Sequence, residues 1–245
     1  MAAERAPRVP PGPVPDGAAE SIGTGDAPRW ASFDCYGTLI DWNGGLRSTF
    51  ERLWPEADPD AVLATYHEVE PRVQEGSGKP YREVMAESLR LAADHEGLPL
   101  AVDDEDALGE SLPGWNAFPE VAGELIELRE RDWSLAILSN TDPDLLDDSL
   151  RTIGVPVDAV VTAREAGSYK PAHGHWHRLF DRADVDRDRH VHVAASLFHD
   201  VAPCLELAAP VVWINREGED PDPPPTVEQR DLSGLPDALD RLVPR

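Results

Sequence analysis

From Phe118 onward the chain repeats one pattern: an amphipathic stretch of helical period, then a short apolar run rich in β-branched residues. "PEVAGELIELRER" precedes "SLAILSN", "PDLLDDSLRTIG" precedes "AVVTA", "PAHGHWHRLFDRA" precedes "HVHVAA", and "DVAPCLELA" precedes "PVVWIN". Runs this apolar read as strands buried on both faces, and short helical crossovers bring each strand in parallel to the last. The expected fold class is α/β, a doubly wound parallel sheet covered on both sides by helices.

The first strand of that sheet lies earlier, in "WASFD", followed by a glycine turn and the amphipathic "LRSTFERLW". Between it and Gly114 only helical patterns occur. "DPDAVLATYHEVEPRV" opens with an acidic, Pro-containing helix start, "PYREVMAESLRLAADHEG" closes on a C-cap glycine, and "DDEDALGESL" reads as a third helix. The organisation expected is a core at residues 29–45 and 115–245, with a helical cap at 46–114 inserted after the first strand and helix. Residues 1–28, rich in Pro, Ala and Gly, read as a disordered tail. "REGEDPDPPPTVEQRD" reads as a loop and "LPDALDRLV" as a last short helix.

Composition excludes several function classes. A formal net charge of −25 on 245 residues repels nucleic acid and anionic lipid. No apolar run approaches the roughly 20 residues of a membrane span, and the N-terminus lacks the pattern of a secretory signal. Cys35 and Cys204 are too few for a disulfide framework, which fits a reducing cytoplasm. Lys79 and Lys170 are the only lysines. The acid-rich, lysine-poor balance is consistent with a salt-adapted cytosol or with GC-rich codon usage.

Ligands of an open parallel sheet bind beyond the carboxyl ends of its strands. The strand ends supply Asp34, then Ser139 and Asn140, and lead on to Lys170 and to Asp200. Each has a plain structural reading: turn residue, helix cap, solvated side chain, N-cap. Together they set two carboxylates, a hydroxyl–amide pair and an ammonium on one rim.

"DCYGTLIDW", "LAILSNTD", "GSYKP" and "HVAASLFHD", in this order, resemble the four motifs of the haloacid dehalogenase superfamily, and within it the type II, L-2-haloacid branch. The likeness runs from about Trp30 to Arg216. It implies that Asp34 is a nucleophile forming a covalent ester, that Lys170 keeps it ionised, and that Asp200 positions or activates the hydrolytic water. Thr38, Ser139 and Asn140 would bind the anionic end of the substrate. Tyr36 stands where phosphatases of the superfamily carry a general-acid aspartate, and Ala195 where they carry a magnesium-ligating one. Both departures favour halide, which leaves without a proton. Where the type II branch has a cap arginine this chain has His67, with Arg72 about one turn on as a substitute. Trp176 takes the place of a tyrosine after the lysine motif, Ala195 and Leu197 those of a serine and an asparagine of the branch's fourth motif, and His199 that of an aromatic residue. The implied activity is metal-independent hydrolysis of a short 2-haloacid or similar small organic acid, with no cofactor required and a homodimer left open.

Two alternatives stand beside it: a small-metabolite phosphatase with a weakened Mg²⁺ site, and a fold member of poor catalysis that binds a metabolite or protein. His173 and His177 have metal-ligand spacing on a helix but lack a third ligand. Cys35 reads as a reactive thiol or a buried one, His190 and His192 as packed or half-exposed, and Trp42, Trp115 and Trp176 as pocket wall or core.

Overall fold

In the computed structural model, which describes residues 27–183 and 185–245, the apolar runs form one six-stranded sheet of order β3-β2-β1-β4-β5-β6. The strands are β1 (Arg29–Phe33), β2 (Trp133–Ser139), β3 (Ala159–Thr162), β4 (His190–Ala194), β5 (Val211–Ile214) and β6 (Val227–Gln229), every neighbouring pair parallel. The disordered tail expected at residues 1–28 lies outside the described residues apart from Ala27 and Pro28.

Alternate residues of each strand serve opposite faces. Ala31, Phe33, Leu135, Ile137, Val212 and Ile214 join one apolar cluster, whereas Trp30, Ala136, Leu138, Val211 and Trp213 join another across the sheet. The first cluster continues without a break into the inserted helices through Leu46, Phe50, Tyr66, Met85 and Leu89. Cap and core therefore share buried surface.

The helices between β1 and β2 are α1 (Trp42–Leu53), α2 (Pro59–Gln74), α3 (Tyr81–Glu96) and the short α4 (Ala107–Ser111), followed by α5 (Val121–Glu130) of the core. Asp41 caps α1 by accepting from the Gly44 N–H at 2.9 Å, and α3 ends on Gly97 with φ 66°. Gly45 admits the Trp115 ring, whose nearest atom would lie 2.1 Å from an added Cβ. The remaining helices are α6 (Pro143–Ile153), α7 (Ala163–Ala166), α8 (Gly174–Ala183), α9 (Ala202–Glu206) and α10 (Leu235–Leu242).

Three local expectations change. "REGEDPDPPPTVEQRD" contains β6, an edge strand of three residues paired with β5, so it is not all loop. "DDEDALGESL" divides into a 3₁₀ turn at Val102–Asp104 and α4. "DVAPCLELA" is entered through a π turn at Leu197–Val201 that turns Asp200 into the protein. Among the described residues no helix is long and apolar enough to cross a membrane.

Candidate active site

Three adjacent strands build the floor. β1 lies between β2 and β4, with Phe33 level with Ile137 and Val193. Just beyond this level Asp34, the Ser139–Asn140 turn and Ala195 emerge together at the carboxyl edge of the three strands, where strand order reverses. Gly37 takes φ 84° in the tight turn after Asp34, a conformation that favours glycine.

Lys170 is fully enclosed here. Its ammonium donates to Asp34 Oδ1 at 2.8 Å, to Asp200 Oδ1 at 2.7 Å and to the Leu138 carbonyl at 2.9 Å, using all three protons. Two buried carboxylates thus share one cation. Burial raises Asp34 above the ordinary aspartate value despite Lys170, and the charge of Asp200 adds to the rise. Burial opposes the charge of Asp200 too, but Lys170 and a hydrogen bond from His192 hold it well below the carboxylate range. Asp200 Oδ2 is buried and has no hydrogen-bond partner among the described residues.

Thr38 does not line the cavity. Its hydroxyl donates to Asp34 Oδ2 at 2.9 Å and accepts from the Ala195 N–H at 2.9 Å. That spends it on orienting the carboxylate, in place of the expected contact with substrate. Asn140 is likewise occupied. Its amide accepts from the Lys170 N–H at 2.7 Å and donates to the Lys170 carbonyl at 3.2 Å and Gln74 Oε1 at 3.0 Å. Ser139 is buried at the cavity wall, its hydroxyl accepting from the Thr141 N–H at 3.4 Å.

A cavity of about 730 Å³ opens above this floor. Asp34, Lys170 and Asp200 line it below. One face of α2 lines it with His67, Glu70, Pro71 and Gln74, the i, i+3, i+4, i+7 set of a single helical stripe. Trp42, Tyr81 and Phe118 add aromatic wall, and Arg47, Arg216 and Arg230 lie among the carboxylates lining its remainder. The ring of Tyr36 lines the cavity, but its hydroxyl is shared with Ser149 Oγ at 2.8 Å and burial pushes its pKa far up. It contributes surface, with no acid function.

Two sequence expectations are corrected. Arg72 is exposed and outside the cavity, because its direction on α2 differs from that of His67 by well over a quarter turn. Trp176 is wholly buried against His192, ring centres 5.3 Å apart, beneath the floor. Of the other aromatic candidates, Trp42 reaches the cavity and Trp115 is core. His67 lines the cavity and meets Asn43 Oδ1 at 2.9 Å. His173 meets Glu206, and among the described residues no cluster of three His, Cys, Asp or Glu could hold a metal ion. Cys35 is a buried thiol.

The sequence reading did not foresee a buried polar chain leading away from Asp200. His192 Nε2 lies 2.9 Å from Asp200 Oδ1, and Ser32 Oγ lies 2.7 Å from both His192 Nδ1 and His190 Nε2. Both histidines are fully buried, which removes the half-exposed alternative. The signal available was their period on the strand, level with Ser32 and Trp30 in the register of β1. Glu70, Gln74 and Tyr81 were also missed. Tyr81 donates to Glu70 Oε1 at 3.0 Å, and Gln74 Nε2 donates to the same oxygen.

A family model, that of haloacid dehalogenase-like hydrolases, matches residues 29–202. The chain is 29% identical to haloacetate dehalogenase H-2 of Moraxella sp. (strain B) over 76% of its length and 85% of that protein's. It is 27% identical to (S)-2-haloacid dehalogenase 1 of Pseudomonas sp. (strain CBS-3), over 89% of its length and 99% of the relative's. The crystal structure of an L-2-haloacid dehalogenase superposes with a TM-score of 0.78 at 25% identity, covering 87% of this chain and 99% of the other.

Proposed function

Because the chain belongs to the haloacid dehalogenase-like hydrolases, we propose that it is a metal-independent 2-haloacid dehalogenase with Asp34 as nucleophile. A carboxylate oxygen of Asp34 attacks the halogen-bearing carbon from below. The carbon–halogen bond breaks, halide departs with the bonding pair, and an ester joins Asp34 to the substrate. Water then adds to the ester while Asp200 takes its proton, and cleavage releases the 2-hydroxyacid and restores Asp34. The observation carrying this reading is the shared ammonium: Lys170 bridges Asp34 and Asp200 at 2.8 and 2.7 Å, leaving Asp200 Oδ2 unpaired. Such a pair offers one carboxylate for attack and one for water.

Thr38, Asn140 and Ser139 belong to this reading as the residues that hold the floor in place. His67 is the cap's candidate grip for the substrate carboxylate, with the Ser139–Thr141 turn as its counterpart on the core.

The magnesium of phosphatase-like members does not fit this donor set. Lys170 bridges the two carboxylates, and Ala195, at the motif position where phosphatases of the superfamily carry a further carboxylate, has no side-chain oxygen to offer. Tyr36, tied to Ser149, offers no proton to an alkoxide. A cytoplasmic setting is part of the same reading, supported by the two buried free thiols.

The test is a product panel. With 2-chloropropionate in the presence of a chelator, halide release is expected; with p-nitrophenyl phosphate, no phosphate release is expected with or without Mg²⁺. Mg²⁺-stimulated phosphate release without halide would overturn the proposal.

A further inference from the structure

In-line displacement fixes where the leaving group points. Asp34 and the His67–Glu70–Pro71–Gln74 face of α2 line the same cavity, so a bond broken in line with attack from the floor and pointing toward α2 would meet these four residues. Gln74 is fully engaged, its nitrogen on Glu70 and its oxygen on Asn140. His67 stands at the exposed edge with Nε2 on Asn43. Glu70 is different. It is only 7% exposed, its Oε1 accepts from Gln74 and Tyr81, and Oε2 has no protein hydrogen bond among the described residues. Among the described residues no lysine or arginine pairs with it. A buried carboxyl without a cation favours its protonated form. Burial does raise its pKa above the ordinary value, the Gln74 and Tyr81 hydrogen bonds offsetting this only in part.

Resting on the dehalogenase reading, we infer that Glu70 is a catalytic acid, donating a proton from Oε2 to the departing halide, and that the site therefore accepts 2-fluorinated short acids. Fluoride is the most basic halide and the poorest leaving group, so it gains most from a proton; bromide gains least. The step balances. The Asp34 oxygen–carbon bond forms, the carbon–fluorine bond breaks with its electron pair going to fluorine, and the Glu70 proton passes to fluoride. Glu70 is left as carboxylate and is reprotonated from solvent before the next turnover.

The titratable groups that face Glu70 are Tyr66 on its own helix, Tyr81 of α3 and Tyr169 of the loop before Lys170, while His67, one turn earlier on α2, has Arg47 and Glu217 as its charged neighbours. Burial keeps Tyr66, Tyr81 and Tyr169 protonated beyond the range in which Glu70 titrates.

The experiment compares fluoride release from 2-fluoropropionate with bromide release from 2-bromopropionate, in the native protein and in Glu70→Gln. The variant should lose fluoride release by ~100-fold or more and bromide release by less than about threefold, because acid catalysis contributes ~10²–10⁴-fold only where a proton is needed. In the native protein the fluoride-to-bromide ratio should fall as pH rises through the titration of Glu70, while effects on the shared nucleophile cancel. This second measurement stands even if the variant fails to fold. Equal losses for both halides, a pH-independent ratio, or bromide release with no fluoride release would overturn the assignment. Absence of bromide release from the native protein would instead overturn the dehalogenase reading itself.

Discussion

The floor and the ceiling of the cavity differ in what compensates their buried carboxyls. On the floor Asp34 and Asp200 sit with Lys170 between them, every ammonium proton used and Thr38 and His192 adding donors. On the ceiling Glu70 has hydrogen bonds but no cation. Lys170 favours the charged form of both floor carboxylates, leaving Asp200 below the ordinary value and Asp34, raised by burial, above it, whereas burial raises Glu70 with only the Gln74 and Tyr81 hydrogen bonds to offset it. On the proposed mechanism the same side-chain chemistry yields a nucleophile and a water-activating base from the core, and an acid from the cap.

Removing the cation should collapse this contrast and produce the largest effect. Lys170→Met leaves two facing buried carboxylates uncompensated. We expect turnover to fall ~10³-fold or more and unfolding free energy to drop by ~3–5 kcal/mol, read by halide release and by urea titration. The ion cluster also sets the pH range of stability. Asp200, depressed in the fold, contributes above its unfolded value of roughly 3.9, and this is lost as pH falls further. Lys170, raised in the fold, contributes below its unfolded value of roughly 10.4, and this is lost as pH rises past it. Unfolding midpoints of the variant should vary less across both limits.

Asp200→Asn separates the floor's two carboxylates. It spares the attack but removes the base, so deacylation should slow by ~10²–10⁴-fold and the Asp34 ester should accumulate, visible as a mass increase on the intact chain. Thr38→Val has a smaller effect. On the proposed mechanism activity requires ionised Asp34, so the rate should fall as pH drops through its raised pKa, and deleting the Thr38 donor should move that acid limb to higher pH. The smallest effect belongs to Arg72→Ala. Exposed and off the cavity-facing stripe, it should alter stability by less than about 0.5 kcal/mol and leave turnover unchanged.

What could be read in the sequence follows from the same contrast. Floor residues terminate continuous apolar strands, so Asp34, Ser139 and Asn140 stand out as the first polar residues after buried runs, and Lys170 stands out in a chain with one other lysine. The ceiling carries no such mark. Glu70 in "HEVEPRV" has the composition of a solvated helix face, and its burial arises only when α3 brings Tyr81 over it and the Asn140 turn meets Gln74. Arg72 and Trp176 were misplaced for a related reason: sequence distance from a motif does not specify which way a helical side chain points. β6 escaped because three residues with a single apolar member, in a Pro-rich stretch, show no period.

The central claim is that Asp34 forms an ester later hydrolysed at its own carboxyl carbon. Single turnover of 2-chloropropionate in heavy-oxygen water, with a chelator present and protein in excess, tests this directly. Peptide mass mapping should find the heavy oxygen in the peptide containing Asp34, with the first-turnover 2-hydroxyacid unlabelled. Label appearing only in the hydroxyacid, with Asp34 unchanged, would mean that water attacks the substrate itself and would contradict the account.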